Sequence, residues 1–246
     1  MRITVVVPTF NSMKYVDQCL DSVLAQTYDD MEVIVYDNES SDGTYEHLKS
    51  RRDEGEEFKL ISIPNVEPNG YREAMDHVFD NCKSDYVTFI SSDDYVDKDY
   101  IKRYMKVIDE SPVDVKCIQS GLIWINDQRQ IINQKYHTYE SLEDFKKLCM
   151  TYCPVNNPTV LYHKSIWPLL NKSREAHFEN NLQDIGVGDY DMWCGLADKD
   201  IPIVSITGYL GYFYRWHSEQ ATWKVQKDPT NYDKIIQDYW RKKWKM

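Results

Sequence analysis

The sequence predicts an α/β fold with a mostly parallel, Rossmann-like sheet flanked by helices. Three observations predict it. Four short apolar, β-branched runs recur over the first 110 residues. Stretches with helical spacing separate them, and polar loops rich in acid follow the second and the fourth. Ile3 to Val7 is an unbroken apolar run closed by Pro8, and such runs are strands buried on both faces. Asn11 or Ser12 can cap the helix that follows, where Tyr15, Val16, Cys19, Leu20, Val23 and Leu24 recur on one face. Met31 to Tyr36 reads as the second strand, the turn Asp37 to Gly43 follows, and Thr44 to Arg51 reads as a short helix. Phe58 to Ile63 is the third strand, 64–70 a loop, and Tyr71 to Asn81 a helix carrying Ala74, Met75, Val78 and Phe79. Tyr86 to Ile90 is the fourth strand and runs straight into Ser91-Ser92-Asp93-Asp94, before a helix over 99–109.

The pattern changes after about Ser111. Residues 113–125 and 130–139 look like strands, 141–152 like a helix, and 160–162, 201–205 and 208–214 like further short strands. A helix is expected over 189–197. On open parallel sheets, ligands sit beyond the carboxyl ends of the strands. That rule brings together the loops 8–12, 37–42 and 91–94. Carboxylates gathered there with few basic neighbours repel one another, and a hard divalent cation shared with phosphate oxygens would relieve the repulsion.

Composition narrows the function. The chain of 246 residues is 42% hydrophobic, enough for a core, and has only nine glycines and nine prolines. With 29 basic and 40 acidic residues its formal charge is −11, which speaks against nucleic acid as a partner. The start does not resemble a signal peptide and no run suits a membrane span. A cytoplasmic protein is therefore expected, and the six scattered cysteines read as reduced thiols. The stretch Arg241-Lys242-Lys243-Trp244-Lys245 reads either as a solvated helix end or as a peripheral contact with an anionic membrane through Trp240 and Trp244.

Several ordered motifs carry a resemblance. They are Val5-Val6-Val7-Pro8-Thr9-Phe10-Asn11, Cys19 to Tyr28, Glu32 to Thr44, Asn69 to Asp76, and Phe89-Ile90-Ser91-Ser92-Asp93-Asp94. In order and spacing over residues 3–110, and more weakly to 222, the chain resembles family 2 glycosyltransferases of the GT-A fold. The resemblance implies one GT-A domain over 1–222, with a nucleotide-sugar-binding half (1–110), an acceptor-side half (111–222) and a helical basic tail at 223–246. It places Pro8, Thr9, Asn11, Asp37, Asn38 and Arg72 around the donor nucleotide. Position 38 usually holds Asp in the family; Asn keeps an acceptor and adds a donor, which leaves UDP, dTDP and GDP sugars open, with UDP first.

Asp93 and Asp94 look like the family's acidic metal motif, commonly Asp-x-Asp-Asp, with Ser91 at the first acidic place. Asp94 is expected to hold Mn²⁺ or Mg²⁺ directly, and Asp93 to hold ribose or sugar hydroxyls. Gly188-Asp189-Tyr190-Asp191 is similar to the family's Glu-Asp motif, with Gly188 in the Glu place. Asp189 is the implied general base and Asp191 its competitor. Tyr214-Arg215-Trp216-His217 resembles a late Tyr-Arg-x-His segment. There His217 would complete the metal shell and Arg215 would neutralise phosphate. The implied reaction moves a sugar from a nucleotide-diphosphate sugar to a hydroxyl of a glycan or lipid-linked acceptor, with inversion. The Gln-x-x-Arg-Trp motif of processive synthases is absent from the sequence, which implies transfer of one residue per encounter. Two alternatives stand beside this reading: a sugar nucleotidyltransferase, disfavoured because no Gly-rich basic loop follows the first strand, and a non-catalytic nucleotide-sugar or glycan-binding module.

Overall fold

The computed structural model describes residues 2–64, 70–182, 188–218, 220 and 228–246, apart from the side chains of residues 70–74 and 171. In chain order the elements are β1 (Ile3–Thr9), α1 (Val16–Leu24), β2 (Met31–Asp37), α2 (Thr44–Asp53), β3 (Lys59–Ser62), α3 (Gly70–Asn81), β4 (Tyr86–Phe89), β5 (Tyr95–Val96), α4 (Tyr100–Glu110), β6 (Cys117–Ile125) and β7 (Ile131–Lys135). There follow α5 (Leu142–Cys149), β8 (Leu161–His163), α6 (Trp167–Leu170), α7 (Glu175–Asn180), α8 (Gly188–Asp198), β9 (Ile203–Arg215) and α9 (Tyr232–Trp244).

One sheet organises them, in the order β3-β2-β1-β4-β8-β6-β9-β5, with β7 paired to β6. β1 lies parallel to both β2 and β4, in a register that sets Thr9 beside Asp37 and Val6 beside Phe89. β8 runs antiparallel between β4 and β6, and β9 runs parallel to β6. Strand alternation divides the core between the two faces. Val6, Ile34, Tyr36 and Val87 join the layer of α5, α8 and α9, while Ile3, Val5, Val7 and Val35 join that of α1 and α4. Burial on both faces explains why these strands read as continuous apolar runs. The face of α1 buries Val16, Cys19, Leu20 and Val23, as its spacing predicts.

Two expectations change. Residues 201–205 and 208–214 form one strand, β9, which continues through Gly208 at φ 71° while its register with β6 shifts near Gly121. The stretch 223–246 contains the expected helix, yet its Trp240 is fully buried in the core rather than available as an interfacial anchor. The indole of Trp244 donates to Asp198, and Lys243 pairs with Glu175 and Asp198. Buried apolar surface and paired charge fix α9 onto α7 and α8, so Trp240 is a core residue and not a membrane contact. Among the described residues no helix is long and apolar enough to cross a membrane.

Candidate active site

Three loops meet at the carboxyl ends of β1, β2 and β4. The Thr9 hydroxyl donates to the Tyr36 carbonyl and to Asp37 Oδ1, both at 3.1 Å. Asp37, nearly sealed from solvent, also accepts from the Ser40 hydroxyl at 2.6 Å and the Ser40 N–H at 3.0 Å. A carboxylate can accept about four hydrogen bonds, so these three leave it capacity for a ligand hydroxyl or amide. The Asn38 N–H donates to the Thr9 carbonyl at 2.9 Å, which draws Asn38 against the end of β1. Pro8, half-buried, stands opposite Tyr36. Asn11 adopts φ 51°, and its side-chain oxygen accepts from the Ser41 N–H at 2.8 Å. Asn11 thus ties the first loop to the second, a supporting role that its resemblance did not specify. Arg72 lies in α3, but its side chain is outside the described residues.

The third loop joins the others through the hydroxyls of Ser12 and Ser92, 2.7 Å apart. The two acids that follow Ser92 have different surroundings. Asp94 is buried, and its carboxylate accepts from the Tyr212 hydroxyl at 2.8 Å and the Arg215 backbone N–H at 2.7 Å. Burial, then the adjacent Asp93 charge, push its carboxyl well above the usual range. Asp93 keeps about 29% of its side chain exposed and sets Oδ2 3.0 Å from His217 Nε2. The resemblance makes Asp94 the direct metal ligand, and in this structure its carboxylate is engaged by Tyr212 and Arg215. Its oxygens face inward and brace β9 against the β4 loop, while Asp93 and His217 present the accessible donor pair.

Arg215 is likewise engaged. Its side chain is sealed: Nε donates to the Asp93 carbonyl at 2.8 Å, one terminal nitrogen donates to Gln18 Oε1 at 2.6 Å, and the guanidinium lies 4.6 Å from the Tyr15 ring centroid. This cation holds the loop carrying Asp93 in place. Neither Tyr212 nor Gln18 could be singled out from sequence, because each sits in a pattern identical to that of an ordinary core strand or helix.

The second pole of the site is the start of α8. Gly188 and Gly195, two turns apart on one helix face, let the segment before α7 approach closely. A Cβ on Gly195 would meet the Ser173 carbonyl oxygen at 1.9 Å, and one on Gly188 would meet an Arg174 guanidinium nitrogen at 2.2 Å. Arg174 therefore occupies the space that a side chain at 188 would need. Burial pushes the carboxyl of Asp189 up to about 6; the Tyr190 N–H, which donates to it at 2.8 Å, and the Arg174 charge act against the rise, and Asp233 adds to it. A carboxyl in that range suits proton removal near neutral pH. Asp191, two residues on, is placed differently. It is fully buried, Oδ2 accepts from the His177 N–H at 2.8 Å and lies 3.1 Å from His177 Nδ1, and Oδ1 accepts from the Trp240 indole at 2.7 Å.

The start of α8 lies beside the end of α5, where the Tyr190 hydroxyl donates to the Cys149 carbonyl. Asp189 lies within electrostatic range of Cys153, whose thiol is pushed up by burial and then by the Asp189 charge. Cys153 precedes Pro154-Val155-Asn156, which is bonded to Gln119 and Ser120 of β6. The profile of glycosyl transferase family 2 matches residues 4–167, well over half of the chain and all of the first catalytic loops. The chain belongs to this family.

Curated relatives agree with that assignment. Glycosyltransferase GlyA of Streptococcus pneumoniae is 33% identical over 114 residues, covering 46% of this chain and 16% of that protein. The poly(ribitol-phosphate) β-N-acetylglucosaminyltransferase TarS of Staphylococcus aureus is 32% identical over 124 residues, covering 48% of this chain and 21% of TarS. The chain thus spans a minor part of the length of these relatives. Among solved structures, S. aureus TarS 1–349 in complex with UDP-GlcNAc superposes with a TM-score of 0.62 at 18% identity, covering 94% of this chain and 62% of that one. The mannosyltransferase PcManGT of Pyrobaculum calidifontis, in complex with GDP-Man and Mn²⁺, gives a TM-score of 0.59 at 15% identity, covering 98% and 69%. The α/β architecture with its mostly parallel sheet is the GT-A fold of these glycosyltransferases.

Proposed function

We propose that this chain transfers one sugar per encounter, with inversion, from a nucleotide-diphosphate sugar to a hydroxyl of a glycan or lipid-linked acceptor. A UDP sugar is the first choice of donor. The observation that carries the reading is the Asp189 carboxyl, held near neutral pKa at the start of α8. Thr9, Asp37 and Asn38 shape the nucleotide pocket, with the Asp37 carboxylate free to accept from ribose or base. The side-chain amide of Asn38 offers both an acceptor and a donor to a uracil edge. TarS, named as a poly(ribitol-phosphate) β-N-acetylglucosaminyltransferase and solved in complex with UDP-GlcNAc, supports this donor and acceptor class.

The residues present fit a divalent cation shared with the donor. Among the described residues no group of three or more His, Cys, Asp or Glu forms a cage, so phosphate oxygens would complete the shell. Asp93 Oδ2 and His217 Nε2 are 3.0 Å apart, close to the roughly 3.0 Å expected between adjacent ligands about 2.1 Å from an octahedral ion. Mn²⁺ or Mg²⁺ bound there would neutralise the charge of the leaving diphosphate. Asp94, Tyr212 and Arg215 hold the Asp93 loop and the His217 segment together. Asp189 takes the proton of the acceptor hydroxyl as that oxygen attacks the anomeric carbon from the face opposite the nucleotide, and Arg174 biases the carboxyl toward its ionised form. The test is Asp189→Asn. Titration calorimetry should show donor affinity within about twofold of the parent, while transfer falls by roughly 100-fold or more. Transfer that persists would move the base elsewhere.

A further inference from the structure

The hairpin β6–β7 rises from the catalytic edge of the sheet, and its place follows from the pairing. β9 takes one flank of β6 along its whole length. On the other flank β8 pairs with Cys117 and Ile118, and β7 pairs further along, with Leu122 to Ile125. β7 therefore stands past the end of β8, above the carboxyl end of β4, where the chain turns into Asp93. Among the described residues β7 pairs only with β6, so its outer edge borders the space between the two poles of the site.

Both ends of the hairpin are fixed to those poles. At the tip, Asp127 accepts from the Tyr15 hydroxyl at 2.6 Å and pairs with Lys14 at 3.3 Å, and the Tyr15 ring lies 5.1 Å from that of His217. At the root, the Lys135 ammonium sits 5.1 Å from the centroid of the Tyr152 ring, and Tyr152 precedes Cys153, the neighbour of Asp189.

The surface of this hairpin combines exposed apolar and basic groups. All five residues of β7 are exposed on both sides. Ile131, Ile132 and Tyr136 are more than half exposed and Tyr152 is 38% exposed, whereas edge strands ordinarily avoid such apolar display. Residues 128–138 contain the exposed Arg129 and Lys135 and no acid, in a chain of net charge −11, and Asp127 at the tip is paired with Lys14. Aromatic faces, amides from Asn133 and Gln134, and the cations of Arg129 and Lys135 match a chain of hydroxyl-rich units that carries negative charge.

We propose that this hairpin face is the acceptor subsite, and that it takes a polyanionic chain of sugars or sugar alcohols bearing phosphate or carboxylate groups. The proposal rests on the transferase reading above and specifies its acceptor. The chain would lie along β7 between the two poles, with its terminal hydroxyl directed to Asp189, Tyr136 and Tyr152 stacking on its units, and Arg129 and Lys135 facing its charges.

Binding to the full chain should be measured by calorimetry with three probes: a polyol-phosphate oligomer, a uronate-containing oligosaccharide, and a neutral oligosaccharide of equal length. At least one anionic probe should bind at least tenfold more tightly than the neutral one, and should weaken as salt rises. Which anionic probe binds identifies phosphate or carboxylate as the recognised group. The double variant Arg129→Gln/Lys135→Glu should lose at least tenfold in affinity for that probe, and Tyr136→Ala/Tyr152→Ala should weaken it independently of salt, while donor binding stays unchanged in both. Equal binding of the neutral probe, no binding of either anionic probe, or unchanged affinity in the charge variant would overturn the proposal. Failure of the transferase reading would appear separately, as loss of nucleotide-sugar binding by the parent chain.

Discussion

Replacing Asp189 by Asn should make the protein more stable while it removes transfer, and the size of the gain follows from the site. The carboxyl rises from 3.8 to about 6 because burial disfavours its charged form. At about 1.36 kcal/mol per pKa unit, ionising Asp189 in the folded state costs on the order of 3 kcal/mol. The sign follows from the order of titration. The unfolded chain releases this proton first, so there is no penalty below pH 3.8, it grows up to about pH 6, and it is constant above that. An amide releases no proton and still accepts from the Tyr190 N–H. The expected stabilisation is therefore up to about 3 kcal/mol at pH 8 and roughly half that at pH 5. For a chain of this size, roughly 2–4 °C per kcal/mol gives a rise in Tm on the order of 5–10 °C at pH 8, and about half as much at pH 5. Differential scanning calorimetry of both proteins at the two pH values reads the effect. A Tm that is unchanged or lower at pH 8 would refute the claim that this carboxylate is held ionised against its surroundings. A gain equal at both pH values would assign the stabilisation to something other than its charge.

Other outcomes follow from neighbouring residues. The acid limb of the kcat–pH profile should have its midpoint near pH 6, leaving about a tenth of the plateau at pH 5, where an unshifted carboxylate would keep nearly all of it. Gly188→Ala puts a methyl group where the Arg174 guanidinium lies, 2.2 Å from its nitrogen. Displacing that cation should move the same limb to higher pH, which a pH series on the variant would show. Asp93→Ala and His217→Ala should each remove stimulation by Mn²⁺ and lower kcat by roughly 100-fold or more, in keeping with several kcal/mol of lost charge stabilisation. Trp240→Phe leaves the buried Asp191 Oδ1 without its indole donor, and urea titration should show a loss of about 1–3 kcal/mol with donor affinity retained.

Much of the architecture was readable because burial leaves a mark on composition. β1, β2 and β4 are covered on both faces, so nearly every residue is apolar, and the polar loops after them stand out by contrast. β5 is two residues long and leaves no periodic signal, yet its pairing with β9 places the Arg215 segment against the Asp93 loop. Which of two consecutive acids faces solvent therefore depends on tertiary pairing, and the motif Ser91-Ser92-Asp93-Asp94 holds no trace of it. Asp189 and Asp191 present the same difficulty: two residues apart on a helix they point apart, and only the partners on α7 and α9 show which one is sealed. The basic, aromatic helix α9 has a sequence suited to a membrane surface or a protein core, and the packing of Trp240 decides between them. Arg174 had no motif at all, because its importance arises from the empty space at Gly188.

The bond between Trp240 and Asp191 also sets an order of events during synthesis. Residues 232–244 leave the ribosome after α8, so α8 first emerges with an Asp191 carboxylate that lacks its indole partner. The polar shell of Asp191 is therefore closed by chain made after α8, and the buried carboxylate waits for the docking of α9 to gain its indole donor.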